Sequence, residues 1–258
     1  MAHPPQRSLR HEYEIYVEQE IENYKDSIPR SALLRIGDEA VDRLRKRNQL
    51  EFSEILIWAE VDVIIRRRTR IPTFARWRNR RIKLLAEYRR PERWGLAADA
   101  PLVREMATEE TDRHVLVAGV RAEGMTMFLV ANGCSVTTVE DDADMVDRVL
   151  TAAGQVGLTS RINSCAISLG KWAPDEPLNA VVCTPAAFEH LNLDERTRVI
   201  DLLKGATLDG GVHLVQALIA GTAALSEEEL RDRYVGWDVS IVRDEQSNRT
   251  FMARKGAA

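Results

Sequence analysis

The residues best suited to bind a ligand lie between His114 and Glu140, where two glycines and a carboxylate follow short apolar runs. Gly119 and Gly124 mark the turn after the run VLVA, and Glu140 ends the next run, SVTTV. Glycine allows a backbone to approach a ligand closely, because a Cβ at that position would collide with it. A carboxylate at the end of the second run can accept hydrogen bonds from both hydroxyls of a ribose. The spacing therefore predicts a nucleoside-binding site.

A second group of reactive side chains follows a later apolar run, LNAVVC, which ends at Cys183. Glu189 and His190 are the candidates for a general base, because either can accept a proton near neutral pH when it is suitably placed. The alternative is that they form the polar end of a surface helix. Cys183 is of a type that more often fills a core than attacks a substrate. His213 lies within an apolar run and is predicted to be a buried, hydrogen-bonded histidine.

The charge is unevenly distributed along the chain. Residues 66–93 contain twelve Arg and Lys against two Glu, a net charge of +10, so the rest carries −14 of the total of −4. Arginine binds phosphate through two hydrogen bonds at once, and the interleaved Trp77 and Tyr88 are of a type that stacks on bases. These features favour RNA or another polyanion as a partner. The candidate contacts are Arg67, Arg70, Arg76, Arg78, Arg80 and Arg81.

Two other interpretations of the basic segment stay open. The arginines can form a solvated helix face, or they can dock onto the acidic remainder of the chain. The helices that carry them can equally contact a protein partner or a second copy of the chain.

Composition narrows the class of protein further. The three cysteines form no CxxC pair, and the five histidines lack the spacing of metal ligands. The first residues lack the apolar core of a signal peptide, and the longest apolar run, Ile55 to Ile65, is short and contains two acids. We expect a reduced, cytoplasmic protein with no membrane contact and no metal.

The elements that would position these residues fall into two parts. Residues 1–95 have helical periodicity, with Ser31 and Ser53 as candidate N-caps, and form a helical N-terminal module. Residues 104–258 alternate between strands and helices, which predicts an α/β domain with a mostly parallel sheet. The last two strands are joined by a short polar turn and must pair antiparallel. The strands are predicted at 114–119, 135–140, 160–166, 178–183 and 211–218, with the final pair in WDVSIVRDE and TFMARK.

The order of these pieces resembles the class I S-adenosylmethionine-dependent methyltransferases, which have a Rossmann-like sheet. The resemblance covers about Arg104 to Lys255 and is closest to the group around the tellurite-resistance methyltransferases. The segments that carry it are VLVAG at 115–119, NGCSVTTVE at 132–140, LNAVVCTPAAFEHL at 178–191, LLKGATLDGGVHLV at 202–215 and YVGWDVSIVRD at 234–244. Within them, Asp209-Gly210-Gly211 stands where the family has a Pro-Gly-Gly turn before its fifth strand.

The resemblance implies a set of contacts with S-adenosylmethionine. Gly119 and the turn through Gly124 would pass beneath the methionine part, and Glu140 would bind the ribose. Ser164 and Cys165 would flank the adenine, whereas Cys183 and Thr184 would lie beside the transferred methyl. Three features depart from the family pattern, which has an acid in place of Val117 and a glycine in place of Arg121. The third is the Asp that contacts the adenine after strand three in the family, where this chain offers Asn163 or Ser164. Arg121 can pair with the cofactor's carboxylate, or its side chain can fill the pocket.

Two functions follow from this resemblance. One is an enzyme that transfers a methyl group to a small molecule or RNA; the other is a non-catalytic protein of the same fold that binds nucleic acid or protein. The turn also matches GxGxxG with Arg121 in place of the middle glycine, as in nicotinamide or flavin sites. The missing glycine is the one that lets the backbone meet a pyrophosphate, and the final hairpin also favours the methyltransferase interpretation.

Overall fold

In the computed structural model, the described residues are 8–46, 54–107, 112–119, 123–216, 225–243 and 249–256. The chain divides into two compact units, one of residues 4–84 and one that begins at Leu85. Ser53 and the final turn at Gln246–Asn248, which entered the sequence predictions, lie outside the described residues, as does Arg121.

The described residues of the N-terminal unit form four helices. They are α1 (Leu9–Ser27), α2 (Arg30–Lys46), α3 (Glu54–Arg68) and α4 (Phe74–Tyr88), the last of which runs past the boundary between the units. Ser8 caps α1 by accepting a hydrogen bond from the backbone N–H of His11. The prediction of Ser31 as the cap of α2 is wrong, because Ala32 donates to the carbonyl of Pro29, so the helix begins before Ser31.

Tyr13 lies at the centre of the helical unit's core. It is buried with apolar residues of α1, α2 and α3, and its ring contacts Phe74 and Trp77 of α4 at centroid distances of 5.4 and 5.5 Å. Its hydroxyl donates to the carbonyl of Pro72 at 2.8 Å and accepts from Arg66 at 2.9 Å. One aromatic side chain thus joins the apolar core to the connection between α3 and α4.

The second unit contains a seven-stranded sheet in the order β3-β2-β1-β4-β5-β7-β6. Strands β1 to β5 are parallel, and β7 pairs antiparallel with both β5 and β6, which confirms the mostly parallel sheet with a C-terminal antiparallel hairpin. The strands are β1 (His114–Ala118), β2 (Ser135–Glu140), β3 (Ile162–Ala166), β4 (Leu178–Cys183), β5 (Thr207–Gln216), β6 (Asp238–Arg243) and β7 (Arg249–Arg254). The helices are α5 (Pro101–Met106), α6 (Gly124–Ala131), α7 (Ala143–Val156), α8 (Leu193–Ala206) and α9 (Glu227–Arg233).

Alternate residues of the central strands pack on opposite faces of the sheet, because side chains alternate along a strand. In β1, Leu116 and Ala118 pack with residues of α8 and α9, whereas Val115 and Val117 pack with residues of α5, α6 and α7. All four are fully buried. This two-sided burial explains why β1 reads as a continuous apolar run, as strands of a covered parallel sheet do.

Two predicted strand starts differ from the structure by more than one residue. β3 begins at Ile162 because a 3-10 helix occupies Thr159–Arg161. β5 begins at Thr207 and not at 211, and its pairing with β4 shifts between Leu178 and Ala180. Gly210 lies in this irregular part with φ +76°, a left-handed conformation that favours glycine. The Asp209-Gly210-Gly211 turn is therefore an irregularity within β5. Among the described residues, none of the helices combines the length and apolar character needed to cross a membrane.

Candidate functional site

A pocket lies where β1, β2, β3 and β4 end. It is lined by residues that end β2 or follow one of the four strands: Gly119, Val139, Glu140, Asp141, Ser168, Leu169, Ala186, Ala187, His190 and Leu191. The strand order reverses here, because the chain passes from β1 to β2 and β3 on one side and later to β4 and β5 on the other. Ligands of open α/β sheets bind at this kind of reversal, beyond the carboxyl ends of the strands.

Glu140 is the acid of this pocket. It is 8% exposed, and its Oε1 accepts hydrogen bonds from the backbone N–H groups of Asp141 and Asp142 at 3.1 and 3.2 Å. Burial raises the pKa of Glu140, and the neighbouring side chain of Asp141 raises it further, whereas the two backbone donors lower it. The two backbone donors therefore orient the carboxylate, but its surroundings stabilise the negative charge less well than water does.

Gly119 lies at the other side of the pocket, directly after β1. Its backbone is left-handed, with φ +71°, and its N–H donates to the carbonyl of Val139 at 3.0 Å. The hydroxyl of Thr184 donates to the carbonyl of Gly119. A Cβ on Gly119 would come within 2.3 Å of the backbone nitrogen of Ala187. Glycine is thus required at position 119 because the segment that follows β4 packs directly against it.

This segment is the short 3-10 helix Pro185–Phe188. Because it packs on Gly119, the pocket encloses no more than about 270 Å³, including the space on its open side. Sites for ligands of cofactor size usually enclose about 300–1,000 Å³. The enclosed part of this pocket is much smaller than that, so in this conformation the pocket is too small for a nucleoside cofactor.

Gly124 is placed differently from Gly119. It begins α6, and a Cβ on it would come within 2.3 Å of the carbonyl oxygen of Trp94. Trp94 belongs to the 3-10 helix Pro91–Trp94 of the same unit, and its indole N–H donates to the carbonyl of Tyr88. Glycine is therefore required at position 124 because Trp94 of the same unit packs closely against it.

Ser164 and Cys165 lie within β3 and not after it. Ser164 accepts a hydrogen bond from the hydroxyl of Thr138 at 2.7 Å, across the strand pair, and Cys165 packs against the apolar cluster on the α8 side of the sheet. The pocket is lined instead by Ser168 and Leu169, which follow the strand. Sequence reasoning missed these two because the end of β3 has no glycine or acid to mark it.

Cys183 and Thr184 end β4 and are both buried. Burial raises the pKa of the Cys183 thiol to about 12, so it is a neutral core side chain at pH 7. Of the two candidate bases, His190 lines the pocket and is exposed to solvent. Glu189 is also exposed, and its backbone N–H donates to the carbonyl of Ala186.

Val117, which stands where the family has an acid, is fully buried in the apolar cluster on the α6 side of the sheet, which also contains Leu129 and Val182. A carboxylate there would be costly, because a charge in an apolar core is not compensated. The second departure, Arg121, lies outside the described residues.

Nine of the twelve basic residues of segment 66–93 belong to the helical unit, whereas Arg89, Arg90 and Arg93 belong to the second unit. Those of the helical unit fall into two groups. Three are engaged: Arg66 with the Tyr13 hydroxyl, Arg68 with Glu39, and Arg81 with Glu12 at 3.1 Å. The others that were predicted to contact phosphate have exposed side chains: Arg67, Arg70, Arg76, Arg78 and Arg80.

Comparison with solved structures finds the fold of the second unit. TehB from Haemophilus influenzae matches with a TM-score of 0.50 and 20% identity, over 64% of this chain and 65% of that chain. The N-methyltransferase NodS from Bradyrhizobium japonicum WM9 matches with a TM-score of 0.49 and 15% identity, over 62% of this chain and 100% of that chain. The glycopeptide N-methyltransferase MtfA, solved with S-adenosylhomocysteine, has a TM-score of 0.49 and 14% identity, over 59% and 87% of the two chains.

No protein-family model matches the sequence, and no curated protein matches it. Identities of this size show a shared fold and nothing finer. The sheet order with its antiparallel end and the structural match lead to the same result: the second unit has the Rossmann-like fold of class I methyltransferases.

Proposed function

We propose that this protein binds S-adenosylmethionine in the pocket beyond β1, β2 and β4 and transfers its methyl group to an acceptor. The observation that carries the proposal is Glu140, a buried carboxylate fixed by two backbone donors at the strand-order reversal. S-adenosylmethionine is the cofactor that the fold implies, and fold alone does not determine activity. The support therefore has to come from the residues of the pocket.

The nucleoside end of the pocket fits the proposed cofactor. The Oε1 atom of Glu140 already accepts from the backbone, and ribose hydroxyls would add donors to a carboxylate whose raised pKa reports insufficient stabilisation. Hydrogen bonds to a charged acceptor are about twice as strong as neutral ones. Asp141, Ser168 and Leu169 complete this end with polar and apolar surface next to the carboxylate.

The other end of the pocket is crowded in this conformation. The segment Pro185–Phe188 contacts Gly119, and the Thr184 hydroxyl holds the same glycine through its carbonyl. Binding of the methionine part therefore requires this segment to shift. Such a shift would break the hydrogen bond from Thr184 to Gly119 and disturb the buried side chain of Phe188, so its cost would be subtracted from the binding free energy.

The bound cofactor would supply an activated methyl group on a sulfonium, and its thioether would be the leaving group when an acceptor takes that methyl. The contribution of this chain is mainly alignment, which alone can supply much of a rate enhancement. Glu140 fixes the ribose. His190, at the open side of the pocket, takes the proton that the acceptor loses. Cys183 takes no part because its thiol is buried and protonated.

A second candidate function is favoured by the same contact. If Pro185–Phe188 stays on Gly119, the pocket is closed to the methionine part, and the fold serves as a non-catalytic binding module. The position of Val117 agrees with this alternative, because an apolar side chain buried in the core stands where the family has an acid.

Thermal unfolding with S-adenosylhomocysteine distinguishes the two functions. Ligand at about 100 times its dissociation constant adds roughly 2.7 kcal/mol, which raises Tm by roughly 5–10 °C for a unit of this size. Glu140→Gln should weaken binding roughly 10–100-fold, because two charge-assisted hydrogen bonds become neutral ones.

The matched control is Asp147→Asn, which neutralises an exposed carboxylate of α7 outside the pocket and should leave the ligand-induced shift unchanged. Glu140→Gln should also leave the ligand-free protein at least as stable at pH 7, because a carboxyl with a raised pKa destabilises the fold when ionised. A loss of binding therefore cannot be ascribed to unfolding. Absence of any shift at millimolar ligand would reject the enzyme and support the non-catalytic module.

A further inference from the structure

We infer that the exposed basic surface of α4 and the end of α3 binds the phosphate backbone of double-stranded nucleic acid. This surface, called here the basic surface, consists of Arg67, Arg70, Arg76, Arg80 and Lys83. It belongs to the helical unit and is independent of the pocket in the sheet unit.

The basic surface remains after the internally engaged arginines are set aside. Arg66 donates to Tyr13, Arg68 pairs with Glu39, and Arg81, whose side chain is 15% exposed, pairs with Glu12. In the described part of the chain, the side chains of the five residues of the basic surface make no hydrogen bond or ion pair. Their charge is therefore available to a partner.

Three of these residues form a line along α4. Arg76, Arg80 and Lys83 are spaced by four and three residues, so they lie on one face of the helix over about 10 Å. Arg78 lies about 160° around α4 from Arg76 and is not part of this line, whereas Arg67 and Arg70 lie at the end of α3 and in the turn before α4. A row of cations of this length can contact several consecutive phosphates, which are close together along a duplex.

The acidic residues nearest to this line leave it positive. Glu20 of α1 and Arg80 both act on the Tyr16 hydroxyl, with opposite effects on its pKa, so Glu20 offsets part of one charge. Glu87 is the single acid within α4, and it lies 4.0 Å from Arg93. Charge complementarity therefore favours a strongly anionic partner.

The aromatic residues of the segment are used inside the fold. Trp77 stacks on Tyr16 and Phe74 with interplanar angles of 30° and 23°, and Tyr88 is buried. Trp58 of α3 is half-exposed, but it lies almost opposite Arg67 around the helix, with the ammonium of Lys25 over its ring. Single-stranded nucleic acid is bound largely through stacking on exposed aromatic rings. The described residues of the basic surface include no exposed aromatic ring. This favours a duplex, bound through its phosphates, over a single strand.

Binding through phosphate alone has a defined salt dependence. The logarithm of the association constant falls by about 0.9 per phosphate contact for each decade of salt. About five contacts would weaken binding several hundred-fold between 50 and 200 mM salt. The sequence of the duplex should have little effect, because phosphates carry no base information.

The test is fluorescence anisotropy of the full chain with a labelled 20-base-pair duplex RNA over a range of salt. The variant Arg76→Gln/Arg80→Gln/Lys83→Gln should reduce the salt slope by about 2.7 and bind at least ten-fold more weakly at 50 mM salt. The matched control Arg30→Gln/Arg35→Gln/Lys46→Gln removes three exposed charges from α2 of the same unit and should bind as the parent does.

Three results would overturn the inference: no salt-dependent binding, an equal loss in the α2 variant, or tighter binding of single-stranded RNA or heparin than of duplex. Circular dichroism of both variants should show that the helices are retained, because all six substituted side chains are exposed. Glu140→Gln should bind the duplex normally. If S-adenosylmethionine does not bind, the inference about duplex binding is therefore unaffected. If the duplex does not bind, the proposal of cofactor binding in the pocket is likewise unaffected.

Discussion

The carboxylate of Glu140 and the glycine at 119 define the two ends of the pocket through opposite kinds of constraint. Glu140 is oriented by two backbone donors and lacks enough stabilisation of its charge, as its raised pKa shows. Gly119 is confined by the backbone of Ala187, which lies where any side chain would be. A ligand would relieve the first constraint and must displace the second.

The packing of Ala187 on Gly119 can be measured with a pair of alanine variants. Gly119→Ala introduces both a left-handed alanine and an overlap with backbone 2.3 Å away. Gly133→Ala, at φ +94° with nothing within 4 Å, introduces the strain alone, about 1–2 kcal/mol. Urea unfolding should therefore show a larger loss for Gly119→Ala. Equal losses would mean that Pro185–Phe188 does not pack on Gly119 in solution.

Among the elements, β5, α8 and the segment after α9 are joined through one buried histidine. The hydroxyl of Thr207 donates to the carbonyl of Leu203, so it accepts from His213 Nε2, at 2.7 Å. His213 Nδ1 then accepts from the Tyr234 hydroxyl, also at 2.7 Å. Every polar atom of the ring is used, which confirms the prediction of a satisfied core histidine and requires it to be neutral.

This network makes the second unit sensitive to acid. Burial lowers the pKa of His213 to about 3, with the nearby Lys204 and Lys255 as smaller causes, against about 6.5 in the unfolded chain. Only the unfolded state gains this proton between those values, so stability is lost as the pH falls below about 6.5, by about 2 kcal/mol at pH 5. His213→Gln, which offers one donor and one acceptor, should remove this part of the pH dependence in urea unfolding.

The control for this prediction is His190→Gln, at an exposed histidine, which should leave the pH dependence of unfolding as it is in the parent protein. If His213→Gln and the parent lose stability equally between pH 7 and pH 5, the histidine is not held neutral by its burial.

In the whole molecule, the two proposed ligands belong to different units. Hydrogen exchange followed by mass spectrometry should show slower exchange near Gly119 and Glu140 with S-adenosylhomocysteine, and slower exchange in α3 and α4 with duplex RNA. Glu140→Gln should weaken the first effect alone, and the triple variant of α4 the second alone. One ligand that slows exchange in both sets of peptides to the same extent would contradict this assignment.

The fold was largely predictable from local patterns. Apolar runs such as VLVA read as covered strands, and the short turn before TFMARK required an antiparallel pair; both are properties of a few adjacent residues. Boundaries that depend on distant partners were not predictable. β5 begins earlier than expected because its irregular start pairs with Leu178 of β4, more than twenty-five residues away in sequence.

The site divides in the same way. The sequence by itself determined that a glycine follows β1 and an acid ends β2, because residue type and strand length are local. Only the tertiary structure decided that Ala187 covers Gly119, that Ser168 and not Ser164 lines the pocket, and that Trp77 faces a core and not a base. The reason is physical: the surroundings of a side chain depend on which segments pack against it, and those segments are distant in sequence.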